Sequence, residues 1–361
     1  MGGTPAPSAD ENKRRQTALD ANNGNVSRAA EDLGIARQTL QSWRDKQAGL
    51  AVKGTSTLYN GDGDVVLEWV KTREGELTPE QIGEQVRAAL DGYEPPAEFP
   101  AAPAQAEADL STVYVCADWH VGLLSWKKET GHNYDLKIGQ TVIKTAMTRL
   151  VQSTPNSSQA VVLGLGDLLH SDNYDGMTSK SKNVLDVDGR YPKLLHAATQ
   201  LILFTIDLAL QKHESVLVRI LPGNHDEHSA IAVSLAVAMY YAQNPRVTVD
   251  DDAGRFWWWS WGKVLLGATH GDKAKMADLP LLMAARNPEA WGKAKFRHIY
   301  TGHIHTQTGI EKSGVTVESF QTPVAPDSWH VAHGYGAGRS CQAITHHKDQ
   351  GEIMRQKVNI V

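Results

Sequence analysis

From residue 110 onward the chain alternates short, almost wholly apolar runs with longer runs in which apolar residues recur every three or four positions. STVYVCA, AVVLGLG, VLVRILPG, KVLLGATHG and FRHIYTGH have the length and β-branched content of buried strands, and each runs into Gly, Asp or His. Between them, Val142, Ile143, Ala146, Met147 and Leu150 share one face of a helix, and a longer apolar stretch from Leu194 to Leu210 predicts a more buried one. Strands alternating with helices predict an α/β domain over 110–361.

The pattern ahead of it is different. In residues 16–46, Ala18 and Leu19, then Ala29, Ala30 and Leu33, then Leu40 and Trp43 form three short apolar faces, with Gly34 between the last two. This predicts a helix-turn-helix over 13–48, after a disordered tail over 1–12. Its last helix, from about Ile35 into Arg44, would present Arg37, Gln38, Gln41 and Arg44 to the phosphates and base edges of a major groove. TSTLYN and DVVLEWV around Gly61-Asp62-Gly63 predict a hairpin, and Thr78-Pro79-Glu80 opens a helix carrying Ile82, Val86 and Leu90. Residues 49–93 therefore read as a small α+β unit. The Pro/Ala-rich stretch 94–109 reads as an extended linker.

Composition sharpens this division. The 361 residues are 41% hydrophobic and 21% charged, enough for two domains with real cores. The net charge of −5 advertises neither nucleic acid nor membrane, yet residues 13–46 carry a local excess of basic residues and 47–109 a larger excess of acidic ones. Two cysteines, Cys116 and Cys341, exclude a disulfide scaffold and a thiolate zinc cage and fit a reducing cytosol. The amino terminus lacks the apolar run of a signal peptide, and no membrane-spanning window is expected, so a cytoplasmic protein without a membrane partner is anticipated. All 15 histidines lie between His120 and His347, which segregates the ionisable chemistry into the α/β part.

That chemistry sits at the ends of the five strands, as Asp118-Trp119-His120, Gly166-Asp167, Gly223-Asn224-His225-Asp226, His270-Gly271-Asp272 and Gly302-His303-Ile304-His305. The carboxyl ends of strands are where α/β sheets bind ligands. Imidazoles, carboxylates and one amide suit Mn²⁺, Fe or Zn²⁺ without thiolates. Asp118 and His120 are expected on one face of an extended chain, as are His303 and His305. The glycines at 166, 223 and 302 permit close approach at these turns. His196 and His213 are expected to be structural, and His346 and His347 to lie at the surface.

The five blocks, in this order and spacing, resemble the calcineurin-like metallophosphoesterases over most of 110–361. The resemblance implies a two-layer β-sandwich flanked by helices and two divalent ions, Mn²⁺ foremost, with Fe, Zn²⁺ or Mg²⁺ as alternatives. It implies that Asp118, His120, Asp167 and His305 hold one ion and that Asp167, Asn224, His270 and His303 hold the other, Asp167 bridging. His225 would be the catalytic acid beside the phosphate, with Asp226 or Asp172 as candidates to orient its ring. Gly166-Asp167-Leu168-Leu169-His170 is similar to the corresponding block of SbcD-like nucleases, which makes His170 a candidate substrate contact; the GDxxDRG block of protein phosphatases is absent. SbcD-like chains continue into a DNA-capping domain, whereas only Thr306–Val361 follow here, so the helix-turn-helix would supply that role, the linker setting its reach.

Residues 16–46 themselves resemble the Fis-type helix-turn-helix, through Gly24-Asn25, Ala29-Ala30 and Leu33-Gly34-Ile35. The insert 173–191, with Lys180, Lys182 and Arg190, is expected to wall the site, and Phe256 to Trp261 to pack one face in the sandwich and the other on a helix or the N-terminal unit. Residues 315–345 resemble tails of phosphoesterase-like proteins of tailed bacteriophages, implying a bacterial or phage-infected host cytoplasm. The expected function is two-metal hydrolysis of DNA phosphodiesters. The alternatives are a phosphomonoesterase or cyclic-nucleotide phosphodiesterase whose N-terminal module docks protein, and a DNA-binding regulator with a vestigial site. DNA is the expected partner; a homo-oligomer or a partner ATPase is compatible with the sequence and marked by no motif.

Overall fold

The computed structural model describes residues 9–22, 24–47, 50–59, 65–74, 99–178 and 181–361. The chain divides into two units, Met1–Ile82 and Gly83–Val361, each with its own apolar core.

In the first unit α1 (Ala9–Ala21), α2 (Val26–Leu33) and α3 (Arg37–Gln47) bury Leu19, Val26, Ala29, Ala30, Leu40 and Trp43 together. Asn25 caps α2, its side chain accepting from the amides of Ser27 and Arg28. Gly34 ends the helix at φ 66°, the left-handed conformation that lets its N–H reach back to the last carbonyls. Because Ile35 also bonds back to Ala30, α3 starts two residues later than the pattern suggested. Residues 9–12, expected in a disordered tail, are helical: Trp43 Nε1 donates to Asn12 Oδ1 at 2.7 Å and ties the start of α1 to α3. β1 (Leu50–Tyr59) and β2 (Val65–Glu74) pair antiparallel, as the hairpin pattern requires. The turn at Gly61-Asp62-Gly63 and the helix expected from Thr78 lie outside the described residues.

The second unit opens with β3 (Glu107–Cys116), whose first residues fall within the stretch that composition marks as linker. It continues through β4 (Ser157–Gly164), β5 (His213–Ile220), β6 (Val247–Asp250), β7 (Trp257–Trp261), β8 (Val264–Ala268), β9 (Phe296–Thr301), β10 (Thr308–Lys312), β11 (Val315–Ser319), β12 (Arg339–His347) and β13 (Gly351–Ile360). One sheet has the order β13-β12-β3-β4-β5-β6 and is parallel from β3 to β6; the other has the order β10-β11-β9-β8-β7, with β8, β9 and β11 parallel. Their facing sides enclose Val113, Val115, Leu163, Leu266, Tyr300 and Ile344, so the architecture is an α/β fold of two packed sheets flanked by helices.

The tryptophan run obeys the period of a strand. Trp257 and Trp259 turn into the inter-sheet core, while Phe256 and Trp258 pack outside with Leu265, Ile299 and Met283 of α8 (Leu279–Arg286). One expectation about apolar runs fails: α6 (Tyr191–Leu210) is long and apolar enough, by length and composition, to cross a membrane. It owes this composition to packing against β4, β5, α5 (Leu136–Ser153) and α7 (Ser229–Tyr240), which bury most of its side chains. His346 also departs from expectation. It lies on the same face of β12 as Ile344, is fully buried, and pairs through Nε2 with the Tyr300 hydroxyl at 2.9 Å. His213, at the start of β5, is buried between the Tyr114 and Ser157 hydroxyls, each at 2.7 Å.

Candidate metal centre

β3, β4 and β5 run parallel, as do β8 and β9, so within each sheet the carboxyl ends lie along one edge. The five blocks leave from these ends. Of the seven non-glycine residues with positive φ among the described residues, five are Asp118, His120, Asp167, His303 and His305. Each holds a conformation that costs an L-residue about 1–2 kcal/mol, and such strain gathers where a site over-determines its side chains. The expectation that Asp118 with His120, and His303 with His305, share a face of an extended strand is therefore wrong in its reason. β3 stops at Cys116 and β9 at Thr301, and left-handed turns, not the pleat, aim the four side chains inward.

The turns bring the blocks together. His120 Nε2 stands 2.9 Å from His305 Nε2, and His305 Nε2 stands 3.4 Å from Asp118 Oδ1. Asp167 Oδ2 lies 3.9 Å from His120 Nε2 on one side and 3.2 Å from His270 Nε2 on the other. His270 Nε2 is also 3.1 Å from Asn224 Oδ1, and a ligand atom of His303 lies within 4.8 Å of those of Asp167 and His270. Asp118, His120, Asp167 and His305 thus form one donor group, and Asp167, Asn224, His270 and His303 a second, with the Asp167 carboxylate between.

The hydrogen bonds behind these atoms fit a pair of cations. His270 Nδ1 has only the Leu165 carbonyl to meet, at 2.8 Å, and must donate to it, which leaves Nε2 presenting a lone pair to two oxygen acceptors. Asp167 Oδ1 accepts from the His225 amide at 2.8 Å and Asp118 accepts from the His303 amide, so each carboxylate is oriented by the backbone of another block. Imidazole nitrogens, carboxylate oxygens and an amide oxygen converging on one gap are the chemistry of a cation site. The electrostatics make the gap between Asp167 and His270 a place for positive charge: burial disfavours charge on both partners, yet Asp167 lifts the His270 imidazole to about 10, and His270, then His225, hold Asp167 well below the usual carboxylate range, so a proton on Nε2 and a cation compete for one position. His120 moves the other way, pushed well down by burial and then by His225 and His305. Close approach is also met: a Cβ on Gly223 would overlap the Asp167 carboxylate, and one on Gly302 the Asp118 carboxylate.

His225 is only partly buried, and its ring centroid lies 4.8 Å from that of His120. Neither carboxylate considered as its orienting partner fills that role. Asp226 is spent on the amides of Asp167, Leu168, Leu169 and Gly223, and Asp172 on His228 and Ser229 at the start of α7. The His170 carbonyl takes the place instead, accepting from His225 Nδ1 at 2.8 Å. The His170 side chain, expected to touch substrate, is buried with its Nδ1 3.3 Å from His120 Nδ1, and so backs the site.

Sequence reasoning missed the residues that support His305. Its Nδ1 is 3.1 Å from His330 Nε2, and His330 Nδ1 is 2.6 Å from Asp327 Oδ1, which also caps α10 (Ser328–Ala332). Read from the carboxylate, Asp327 fixes the proton on His330 Nδ1, His330 Nε2 accepts from His305 Nδ1, and His305 Nε2 is left bare toward Asp118. The Asp-x-x-His spacing at a helix start was the available signal. The centre opens into a cavity of about 790 Å³ bordered by Asp167, Asn224, His225, His303 and His305. Thr178, Asn183 and Val184 of the insert border it too, so the insert does wall the site, though not through Lys182 or Arg190; Lys180 lies outside the described residues. In the other unit Arg37 and Gln38 are exposed on α3, and Gln41 and Arg44 partly so.

The sequence model of the bacterial regulatory protein Fis family matches residues 16–42. No curated protein matches the chain in sequence. Three similar solved structures each cover 69% of this chain. They are a conserved uncharacterised protein of Streptococcus pneumoniae described as a predicted phosphoesterase (10% identity, 98% of its chain, TM-score 0.28), the Zn²⁺ complex of Vps29 from Entamoeba histolytica (11%, 98%, 0.31) and an archaeal phosphodiesterase (11%, 99%, 0.34).

Proposed function

We propose that this chain hydrolyses phosphodiester bonds of DNA at a centre for two divalent cations, positioned by its Fis-type helix-turn-helix. The observation that carries this reading is the Asp167 carboxylate standing between two complete sets of nitrogen and oxygen donors, 3.9 Å from His120 and 3.2 Å from His270. Asp118, His120, Asp167 and His305 would hold one cation, and Asp167, Asn224, His270 and His303 the other; the thiolate-free set suits Mn²⁺. When bound, such cations supply electrophilic stabilisation to the phosphoryl oxygens and to the attacking water.

The chain's own residues do the rest. His225 keeps its Nδ1 proton on the His170 carbonyl, so Nε2 is the atom that holds a proton for the leaving oxygen. Asp226 collects four backbone amides and fixes the Asp167 and Asn224 turns against each other. DNA is the favoured phosphodiester because α3 exposes Arg37 and Gln38 on the unit whose sequence matches a bacterial regulator family. A cytoplasmic location, bacterial or in a phage-infected host, follows from that substrate. One observation favours a second reading: a cavity of about 790 Å³ is of small-ligand size, as a phosphodiesterase of small nucleotides would require.

Incubating the purified protein and a His225→Ala variant with Mn²⁺ and labelled single- and double-stranded DNA or methyl p-nitrophenyl phosphate separates the readings. We expect Mn²⁺-dependent cleavage of DNA that falls about 10²- to 10⁴-fold in the variant. Hydrolysis of the aryl ester with DNA untouched sinks the nuclease reading. No metal-dependent hydrolysis of any substrate leaves a regulator with a vestigial site.

A further inference from the structure

We infer that the wall of this cavity formed by Trp329 and Tyr335 is a stacking platform for an unpaired nucleobase, so that the site takes a phosphodiester whose neighbouring base is out of a duplex. The inference rests on the hydrolase reading and names its substrate more narrowly. Trp329, in α10, and Tyr335, just after it, both border the cavity, and both are conspicuously open, at 45% and 59% exposure. Their rings stack at 5.5 Å and 26°. His333, which does not border the cavity, packs on Trp329 at 4.4 Å and braces it from behind.

Side-chain and backbone hydrogen bonds hold the platform. Asp327 caps α10, the His333 Nδ1 bonds the Trp329 carbonyl, and Gly334, at φ 72°, turns the chain so that the Tyr335 amide returns to the His330 carbonyl at 2.9 Å. It is also tied to the centre. His330, between the two aromatic residues in sequence, stacks on His305 at 5.0 Å and lies 5.3 Å from Trp329. A fixed pair of large rings left open to water beside a phosphoester site is the arrangement by which proteins stack unpaired bases. The same wall offers Arg339, which lines the cavity with its Nε on the Pro323 carbonyl and its guanidinium near Tyr134, a cation for a flanking phosphate. A cavity of about 790 Å³ is of the size that takes a nucleotide or two. The shared chemistry, an unpaired base on a phosphodiester, belongs equally to a free dinucleotide and to the end of a single strand.

The test compares the full chain with Trp329→Ala and Trp329→Phe in Mn²⁺, using thymidine 5′-(p-nitrophenyl phosphate) and methyl p-nitrophenyl phosphate as base-bearing and baseless esters. The kcat/KM ratio of the two should fall about 5- to 100-fold in Trp329→Ala, the span that base stacking contributes, and recover in Trp329→Phe. An unchanged ratio, or equal loss on both esters, overturns the platform. If the wild type hydrolyses neither ester, the hydrolase reading fails by itself, and calorimetric binding of thymidylyl-thymidine decides the platform. A weakening of about fivefold or more in Trp329→Ala supports it and equal affinity refutes it. A single-stranded dT oligomer and the dinucleotide, run side by side, separate the two sources by which has the lower KM. A blunt duplex handled as well as the oligomer, and indifferent to Trp329→Ala, counts against the proposal.

Discussion

The side chains proposed to meet a cation and the groups that aim them left different traces in the chain. Asp118, His120, Asp167, Asn224, His270, His303 and His305 were legible because their blocks follow apolar strands in a recognisable order. Their supports were not. The His170 carbonyl that holds His225 and the amides gathered by Asp226 are backbone groups, for which any residue would serve as well. Asp327 and His330 act on His305 from a part of the sequence with no motif. Partners of this kind fix the tautomer and orientation of a metal-binding imidazole, and their loss costs about 10- to 100-fold in affinity. Asp327→Asn should weaken Mn²⁺ binding to the metal-stripped protein by that factor, as read by calorimetry. Unchanged affinity would mean that His305 is aimed by Asp118 alone.

At the scale of elements, period and punctuation predicted the strands that carry the five blocks and the helices α5 and α6 between the first three of them, and the misjudged ends share a cause. α1 starts inside the supposed tail because Asn12 finds Trp43, and β3 starts inside the supposed linker because Glu107 bonds back to Asn156. Both are contacts between residues far apart in sequence. The helix-turn-helix was legible throughout its core, since Asn25, Gly34 and the Ala29-Ala30 pair act locally, through a cap, a turn and close packing. Its surface carries a prediction of its own. If exposed Arg37 meets a phosphate, Arg37→Ala should weaken DNA binding alike for all sequences and lower the slope of log K against log salt by about 0.9, measured by fluorescence anisotropy. An unchanged slope would place the contact elsewhere on α3.

Outside the candidate centre the second unit stores two neutral histidines in its interior, His213 and His346, and they contribute to its response to acid. Burial pushes His213 down to about 3, and His346 likewise, the latter with help from His298. In the unfolded chain each would titrate near the ordinary value of about 6.5. Below that value the unfolded state binds a proton that the folded state refuses, so stability is full above about 6.5 and declines as pH falls toward 3. The loss approaches about 1.4 kcal/mol per pH unit for each residue. Urea unfolding of the metal-stripped protein between pH 7 and 5 should show this decline, and the His213→Gln, His346→Gln double variant should flatten it. An equally steep decline in the double variant would assign the acid sensitivity to other groups.

The amino-acid sequence by itself determined which residues could bear the chemistry, because ligand type, strand order and glycine punctuation are local properties that a linear pattern carries. It also determined the three-helix module, whose buried residues all fall in the short stretch from Leu19 to Trp43. The tertiary structure alone decided how the ligands are aimed. Asp118, His120, Asp167, His303 and His305 reach the centre through left-handed backbone held by contacts across the fold, not through the alternation of a strand. It alone decided that His170 is a backing residue and that His346 is interior, since burial depends on what a second sheet brings over each position. It alone placed Trp329 and Tyr335 beside the same cavity as His303 and His305, an adjacency that exists only once the sheets have packed.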